Sequence, residues 1–169
     1  MRWYNGSVAL MGTLMVALGF ALLVRGALEY RNILVPIVEG RESEEAVDVA
    51  CRLAAERRAT IVALRVIVIP LELPLDAYLP EDVHRADELL DQARAVGELY
   101  GVRVIGRIVR ARQAGGAIVE EALRRQSDIV VLGAPRGKHA RRAVFGKTVD
   151  YVLRHAPTRV MVAAGRRVA

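Results

Sequence analysis

Short apolar runs and amphipathic stretches alternate along the chain from residue 30 onward. Five runs rich in β-branched and aliphatic residues predict strands, at 32–38, 60–69, 102–109, 129–132 and 158–163. Apolar residues at helical spacing lie between them, at 43–54, 81–100 and 115–126, and in a helix that opens near Gly146. The connections are too long for hairpins. The pattern therefore predicts an α/β fold with a five-stranded, doubly wound parallel sheet.

Local signals refine these elements. Ser43 is expected to cap the first helix, and Arg65 to mark the place where the second strand nears an edge or solvent. Arg103 and Arg107 indicate an edge position for the third strand. Three prolines within 70–80 exclude a regular element there. Cys51, the single cysteine, falls within an amphipathic helix pattern and is predicted to be a packed thiol.

The first residues form a separate unit. Residues 6–24 carry no charge and would form a helix about 28 Å long, enough to span a bilayer. Tyrosine and tryptophan flank the run, and arginines follow it. A cleaved signal peptide is the alternative, but the run is long for one and no A-x-A site follows. We therefore expect residues 1–28 to be a transmembrane anchor at the cell membrane and residues 29–169 a cytoplasmic domain.

Small residues within the predicted span share one helical face. Thr13, Ala17 and Ala21 are spaced four residues apart, which lets another membrane helix approach closely. This face predicts an integral membrane partner. The alternative is that small residues are simply common in membrane helices.

The net charge of +6 is concentrated in one segment. Residues 134–148 hold no carboxylate and five cations, namely Arg136, Lys138, Arg141, Arg142 and Lys147. Only 5% of the chain is aromatic, which is too little for stacking on bases, so we do not expect nucleic acid as a partner. Membrane lipid headgroups and phosphate-bearing ligands suit the charge better.

Familiar catalytic and cofactor motifs are incomplete. Gly146, Lys147 and Thr148 match the end of a P-loop, but the glycine required five positions earlier is Arg141. The dinucleotide fingerprint is absent after the first strand. No histidine lies near a metal-ligand set, and no general base is identifiable. We therefore expect neither an enzyme nor a metal site.

Several stretches resemble the universal stress protein domain family, over about four fifths of the chain. The resemblance rests on the strand Ile33-Leu34-Val35-Pro36, on Gly133 and Gly146, and on the ending VLRHAP at 152–157 before a last apolar strand. It implies a Rossmann-like sheet of strand order 3-2-1-4-5 and a homodimer formed through the closing strand at 159–162. It also implies an adenine nucleotide, ATP or AMP, as ligand.

The family's nucleotide motif is only partly matched. Gly133 and Gly146 stand at its first and last glycines, whereas Arg136 occupies the middle position, with Gly137 one residue later. Lys147 stands where a hydroxyl residue is usual, with Thr148 next, and Val38 aligns with the family's aspartate. The candidate ligand residues are therefore Pro36, Val38, Gly133, Arg136, Gly137, Lys138, Gly146, Lys147 and Thr148. A rearranged, more basic nucleotide site and a site that has lost its ligand are both compatible with these departures.

Two functional hypotheses follow. Universal stress domains occur behind the last membrane helix of amino-acid and cation permeases, and the junction RGALEYRNILVP is similar to such a boundary. The first hypothesis is a membrane-anchored regulatory subunit that binds an adenine nucleotide and modulates a transporter. The alternative is an accessory subunit without a nucleotide, whose basic loop contacts anionic lipid or an acidic partner surface.

Overall fold

The computed structural model describes residues 30–134 and 146–164. The strands are β1 (Asn32–Pro36), β2 (Thr60–Val68), β3 (Val104–Ala111), β4 (Ile129–Ala134) and β5 (Arg159–Ala164). The helices are α1 (Arg41–Arg57), α2 (Pro80–Leu99), α3 (Ala114–Arg124) and α4 (Lys147–His155). Strands and helices alternate throughout, as the hydrophobic pattern predicts.

All five strands form one parallel sheet of order β3-β2-β1-β4-β5. Asn32 pairs with Thr60, Ile33 with Ile129, and Ile129 with Arg159, so the strands start along one edge of the sheet. The expected strand order is thus confirmed. β3 lies at one end of the sheet, which agrees with the arginines in its sequence.

Helices cover both faces of the sheet. α1 and α2 pack on the face that contains Ile33 and Val35, while α3 and α4 pack on the face that contains Leu34. These β1 side chains are fully buried and alternate between the two cores. Burial on both sides explains why β1 reads as a continuous apolar run rather than an alternating one.

Two local predictions are wrong. The N-cap of α1 is Gly40, with φ at 123°, and Ser43 lies inside the first turn. The Ser43 hydroxyl accepts a hydrogen bond of 2.8 Å from the N–H of Val38, so it closes the β1–α1 loop rather than capping the helix. Arg65 marks no edge, because β2 is an interior strand, although the residue is partly exposed to solvent; its Nη1 donates to the carbonyl oxygen of Ile37 at 3.4 Å.

Other predictions hold with small shifts. Residues 70–79 form no helix or strand, as their prolines indicate. β3 starts two residues later than predicted, because the N–H of Val102 bonds to the carbonyl oxygen of Gly97 at 2.9 Å and closes the end of α2. Gly101 provides the left-handed turn at that point, with φ at 64°. Cys51 is buried and unpaired, as predicted.

The predicted membrane anchor lies outside the described residues. The same holds for Thr13, Ala17 and Ala21, which were expected to contact a partner helix. Within residues 30–134 and 146–164, none of the helices has the length and apolar character needed to cross a bilayer.

Candidate functional site

A cavity of about 240 Å³ opens at the carboxyl ends of β1 and β4. β1 connects to β2 on one side, whereas β4 lies on its other side, so the chain reverses its direction of winding here. Such a switch point in a doubly wound sheet leaves a crevice between adjacent strand ends, where ligands of these folds bind. Of the residues that the structure describes, those that line the cavity are Pro36, Ile37, Val38, Ser43, Leu64, Val66, Ala114, Ile118, Leu132, Gly133, Gly146, Lys147, Thr148 and Val149.

One side of the cavity is apolar. Leu64 and Val66 point to it from β2, Ile118 from α3 and Leu132 from β4, and all four belong to the core between the sheet and α3/α4. The alternation along β2 places these residues on the α3/α4 face and Arg65 on the other. The wall is therefore a rigid hydrophobic surface that suits a flat or aliphatic group.

The other side is the start of α4. Gly146 is the N-cap, and no side chain of the described residues caps the helix. The first bond within it joins the N–H of Asp150 to the carbonyl oxygen of Gly146 at 3.0 Å. The N–H groups of Lys147, Thr148 and Val149 precede that bond and have no acceptor in the helix. They lie at the positive end of the helix dipole, and Lys147 itself lines the cavity. This end of the cavity is suited to an anion.

Hydrogen bonding shapes the third wall, which follows β1. Ser43, itself buried, holds the N–H of Val38, while the Val38 side chain remains 54% exposed. Glu39 is exposed and does not line the cavity. Among the described lining residues, Lys147 is the only charged one, so this part of the cavity has no carboxylate to accept from a ligand hydroxyl.

The two motif glycines have different structural roles. A Cβ on Gly133 would lie 2.2 Å from the carbonyl oxygen of Glu42 and 3.1 Å from the nitrogen of Ser43. Gly133 is therefore needed for β4 to approach the first turn of α1. A Cβ on Gly146 would meet nothing within 4 Å in the described structure, so this glycine leaves open space beside the α4 amides.

The cavity unites most of the residues that the sequence singled out. Pro36, Val38 and Gly133 line it together with Gly146, Lys147 and Thr148. Arg136, Gly137 and Lys138 lie outside the described residues. The sequence prediction missed Ile37 and Ser43 as lining residues and the apolar wall of Leu64, Val66, Ala114, Ile118, Leu132 and Val149. Their strand and helix patterns predicted burial but gave no sign of a cavity.

The described histidines and other potential metal ligands lie outside this cavity. No group of three or more histidine, cysteine or acidic residues could hold a metal ion in the part of the chain that the structure describes. His155 stacks on Tyr151 with ring centroids 4.2 Å apart, and His84 pairs with Glu88 at 3.2 Å. Both histidines are thus engaged by neighbours on their own helices.

Fold and cavity together define the class: a doubly wound α/β domain with a ligand crevice at its topological switch point. A family model described as the universal stress protein family matches residues 29–164. The chain belongs to the universal stress protein family. A comparison with functionally curated proteins finds no significant match.

Solved structures of the same family share the fold. A universal stress protein from Lactobacillus plantarum is 25% identical, with a TM-score of 0.66, and the match covers 80% of this chain and 99% of that one. A protein from Archaeoglobus fulgidus, solved in complex with dAMP, is 17% identical, with a TM-score of 0.64, over 80% and 98% of the two chains. A family protein from Arabidopsis thaliana, with AMP bound, is 18% identical, with a TM-score of 0.60, over 80% and 92%.

Proposed function

We propose that this chain is a membrane-anchored regulatory subunit that binds an adenine nucleotide in the cavity between β1 and β4 and modulates a membrane transporter or complex. The observation that carries the nucleotide part is the pairing of an apolar wall with the uncapped, lysine-bearing start of α4 in one crevice. The proposed subunit senses its ligand and has no catalytic step.

Each half of the crevice suits one part of a nucleotide. The wall of Leu64, Val66 and Ile118 would contact a purine ring, because a flat ring loses unfavourable water contact there. The N–H groups of Lys147 and Thr148 and the lysine ammonium group would bind phosphate oxygens. Relatives with this fold were solved with dAMP, AMP and cAMP, which supports an adenine base.

The departures from the family motif favour a particular mode of binding. Lys147 adds a charge that a hydroxyl residue lacks, so it strengthens the phosphate end. Val38, in place of an aspartate, removes an acceptor for ligand hydroxyl or amino groups. We therefore expect affinity to depend more on phosphate than on the sugar, with ATP and AMP bound more tightly than adenosine.

Titration calorimetry of the detergent-solubilised full chain with AMP, ATP and adenosine tests the site. Lys147→Gln removes one charged phosphate donor, so we expect a loss of roughly tenfold to a hundredfold in nucleotide affinity. Arg154→Gln is the matched control, because it removes the same charge from the exposed far end of the same helix. Absence of heat and of thermal stabilisation at millimolar nucleotide would contradict the nucleotide assignment.

The anchor and the partner need separate tests. We expect the full chain to resist alkaline carbonate extraction from membranes, and release by carbonate would contradict the anchor. Thr13→Leu with Ala17→Leu is expected to reduce copurification of a membrane partner, since larger side chains prevent close helix approach. Gly19→Leu, on the opposite face of the predicted helix, serves as a control for a general effect of added bulk.

A second function is favoured by one specific observation. The described lining contains no carboxylate, and Lys147 is its sole charge, so the cavity also fits a domain that has lost its nucleotide. In that case the basic segment at 134–148 contacts anionic lipid or an acidic partner. Wild-type binding to a membrane partner with no response to any adenine nucleotide would support this alternative.

A further inference from the structure

Exposed arginines are concentrated on the side of the domain where the strands begin. Arg31 and Arg103 directly precede β1 and β3, and Arg159 is the first residue of β5. Arg57 and Arg58 end α1, two residues before β2. Because parallel strands start at the same edge of their sheet, these arginines share one side of the domain. We call this the amino-end face, defined by Arg31, Arg57, Arg58, Arg103 and Arg159, all exposed.

Backbone contacts hold the members of this face together. The N–H of Thr60 donates to the carbonyl oxygen of Arg31 at 2.8 Å, and the N–H of Ile61 donates to that of Arg103 at 3.0 Å. A groove of about 450 Å³ on this face is lined by Tyr30, Arg31, Asn32, Arg57, Arg58 and Thr60. The Arg159 guanidinium lies 5.6 Å from the centre of the Tyr30 ring. The face is thus a built, polar concavity with an amphipathic tyrosine at its rim.

Positive charge exceeds negative charge on this face. The described carboxylates beside these arginines are Asp128, before β4, and Glu56 and Glu98, in the last turns of α1 and α2. Glu121, in the last turn of α3, is buried and is offset by Arg124 and Arg125. Asp128 is already bound, since its Oδ2 accepts the N–H groups of Arg31 and Asn32 at 2.7 and 2.8 Å. Five guanidinium groups therefore stand against three carboxylates, and arginine is the side chain best suited to phosphate oxygens.

The chain enters the domain through this same face. β1 begins at Asn32, and only five residues separate the end of the predicted span at Val24 from Tyr30. The six steps from Val24 to Tyr30 reach about 20 Å at most when extended, so an inserted span keeps the amino-end face near the bilayer surface. Charges within about 10 Å of an anionic surface are attracted to it at physiological ionic strength.

We propose that the amino-end face docks on anionic phospholipid headgroups and holds the domain upright, with the cavity at the opposite edge pointing away from the bilayer. The inference rests on the anchored arrangement of the proposed function and adds an orientation to it. The proposed lipid-binding face is distinct from the basic segment at 134–148. The residues that flank that segment, Ala134 and Gly146, lie at the carboxyl edge of the sheet.

Helix α2 provides a ruler for the test. Its twenty residues span about 30 Å from one edge of the sheet to the other. Leu99, at its end on the amino side, is 85% exposed, and Tyr78, just before its start, is 86% exposed. A dye on Leu99→Cys or Tyr78→Cys reports the height of either edge above the lipid. The native Cys51 is buried, so thiol reagents label the introduced cysteine.

The experiment places the labelled full chain in nanodiscs of phosphatidylcholine with or without 30% phosphatidylglycerol and measures energy transfer to a lipid-bound acceptor. We expect stronger transfer from position 99 than from position 78 in anionic discs, and a smaller difference in neutral discs or at high salt. Arg57→Gln, Arg58→Gln and Arg103→Gln together should remove most of the anionic effect. Arg41→Gln, Arg85→Gln and Arg110→Gln remove the same charge near the opposite edge and should preserve it.

Every outcome decides the matter. Equal transfer from both positions, or an effect that survives the triple substitution on the amino-end face, overturns the proposal while the anchor stands. Stronger transfer from position 78 also overturns it and assigns lipid contact to the opposite edge. If carbonate releases the chain, the anchor is wrong, and a vesicle flotation experiment then tests docking. Flotation with anionic vesicles but not with neutral ones supports docking. At about fivefold per arginine, the triple substitution should then weaken vesicle binding roughly a hundredfold. No flotation overturns it.

Discussion

Gly133 and Glu42 are in backbone contact. A Cβ on Gly133 would lie 2.2 Å from the Glu42 carbonyl oxygen and 2.6 Å from its carbonyl carbon. The contact joins the end of β4 to the first turn of α1, and both elements border the candidate nucleotide cavity. A glycine that looks like a ligand residue in the sequence is thus required first for packing.

Gly133→Ala is expected to destabilise the domain. The clash is with main chain rather than with a flexible side chain, so β4 or α1 must shift, at a cost of about 2 kcal/mol or more in the free energy of unfolding. Gly146→Ala is the control. Its Cβ would meet no atom of the described residues within 4 Å, and its φ of −59° is ordinary, so we expect a change within about 0.5 kcal/mol. Urea denaturation of both variants measures the difference, and equal midpoints would refute the packing role.

The sequence predicts the framework of the fold well because both of its signals are local. Apolar runs such as that of β1 and amphipathic repeats such as that of α2 report burial on two faces or on one. The alternation of strands and helices along the chain then allows only a few sheet topologies. The wrong predictions concern side chains whose local sequence signal is compatible with two different hydrogen-bond partners or environments. The Ser43 hydroxyl bonds a loop amide instead of a helix amide, and Arg65 reaches a carbonyl oxygen across the sheet instead of solvent at an edge.

The cavity is harder to predict than the fold. Gly146 and Lys147 are found from a motif, but Leu64 and Val66 reach the cavity only because β2 is next to β1 and turns those residues toward α3. In the sequence they are ordinary core residues. The role of Gly133 requires the position of a carbonyl group more than ninety residues away in the chain, which no spacing rule supplies.

Glu121 is expected to be important for stability. Its side chain is 1% exposed and pairs with Arg124 and Arg125, and the Arg107 Nε on β3 lies 4.0 Å away. Glu121→Gln removes the charge that these guanidinium groups share, so we expect a loss of about 2 kcal/mol in the free energy of unfolding. The exposed neighbour Glu120→Gln should change it by less than about 0.5 kcal/mol. Matching denaturation curves for the two variants would show that the buried ion pairs contribute nothing.

Cys51 gives the domain a defined alkaline sensitivity. Burial, reinforced by the Asp48 carboxylate, raises the pKa of the Cys51 thiol from 9.0 to about 11. Below pH 9 the thiol is protonated in both the folded and the unfolded chain. As pH rises from 9 toward 11, only the unfolded chain ionises, so stability is lost progressively, by about 2 kcal/mol in total.

Replacement of Cys51 isolates the contribution of its ionisation to the pH dependence of stability. Cys51→Ala has no thiol to ionise, so the stability advantage of the wild type over this variant should shrink between pH 8 and pH 10.5. Urea denaturation at the two pH values measures the change, and the native thiol should also react slowly with a thiol reagent until the chain unfolds. An advantage that stays constant with pH would refute the assigned titration.

Filling the cavity is expected to separate ligand binding from folding. Ala114 lies at the first position of α3, half-buried, and lines the cavity. Ala114→Leu adds bulk where a purine ring would lie, so we expect at least a tenfold loss of AMP affinity with little change in unfolding. Ala55→Leu, on the exposed side of α1, is the control for added bulk. Unchanged AMP affinity in Ala114→Leu would place the nucleotide elsewhere.

Self-association through β5 remains a prediction that the fold makes testable. β5 is the last strand of the sheet, and its central residues Val160 to Ala163 are only partly buried, so the described part of the chain leaves an apolar edge available for pairing. A two-fold dimer through the middle of this edge brings the residues nearest the axis close to their own copies. Met161→Cys should therefore form an intermolecular disulfide under mild oxidation, whereas Leu123→Cys, exposed on α3, should not. A chain that sediments as a monomer at all concentrations, with equal crosslinking at both positions, would exclude this dimer.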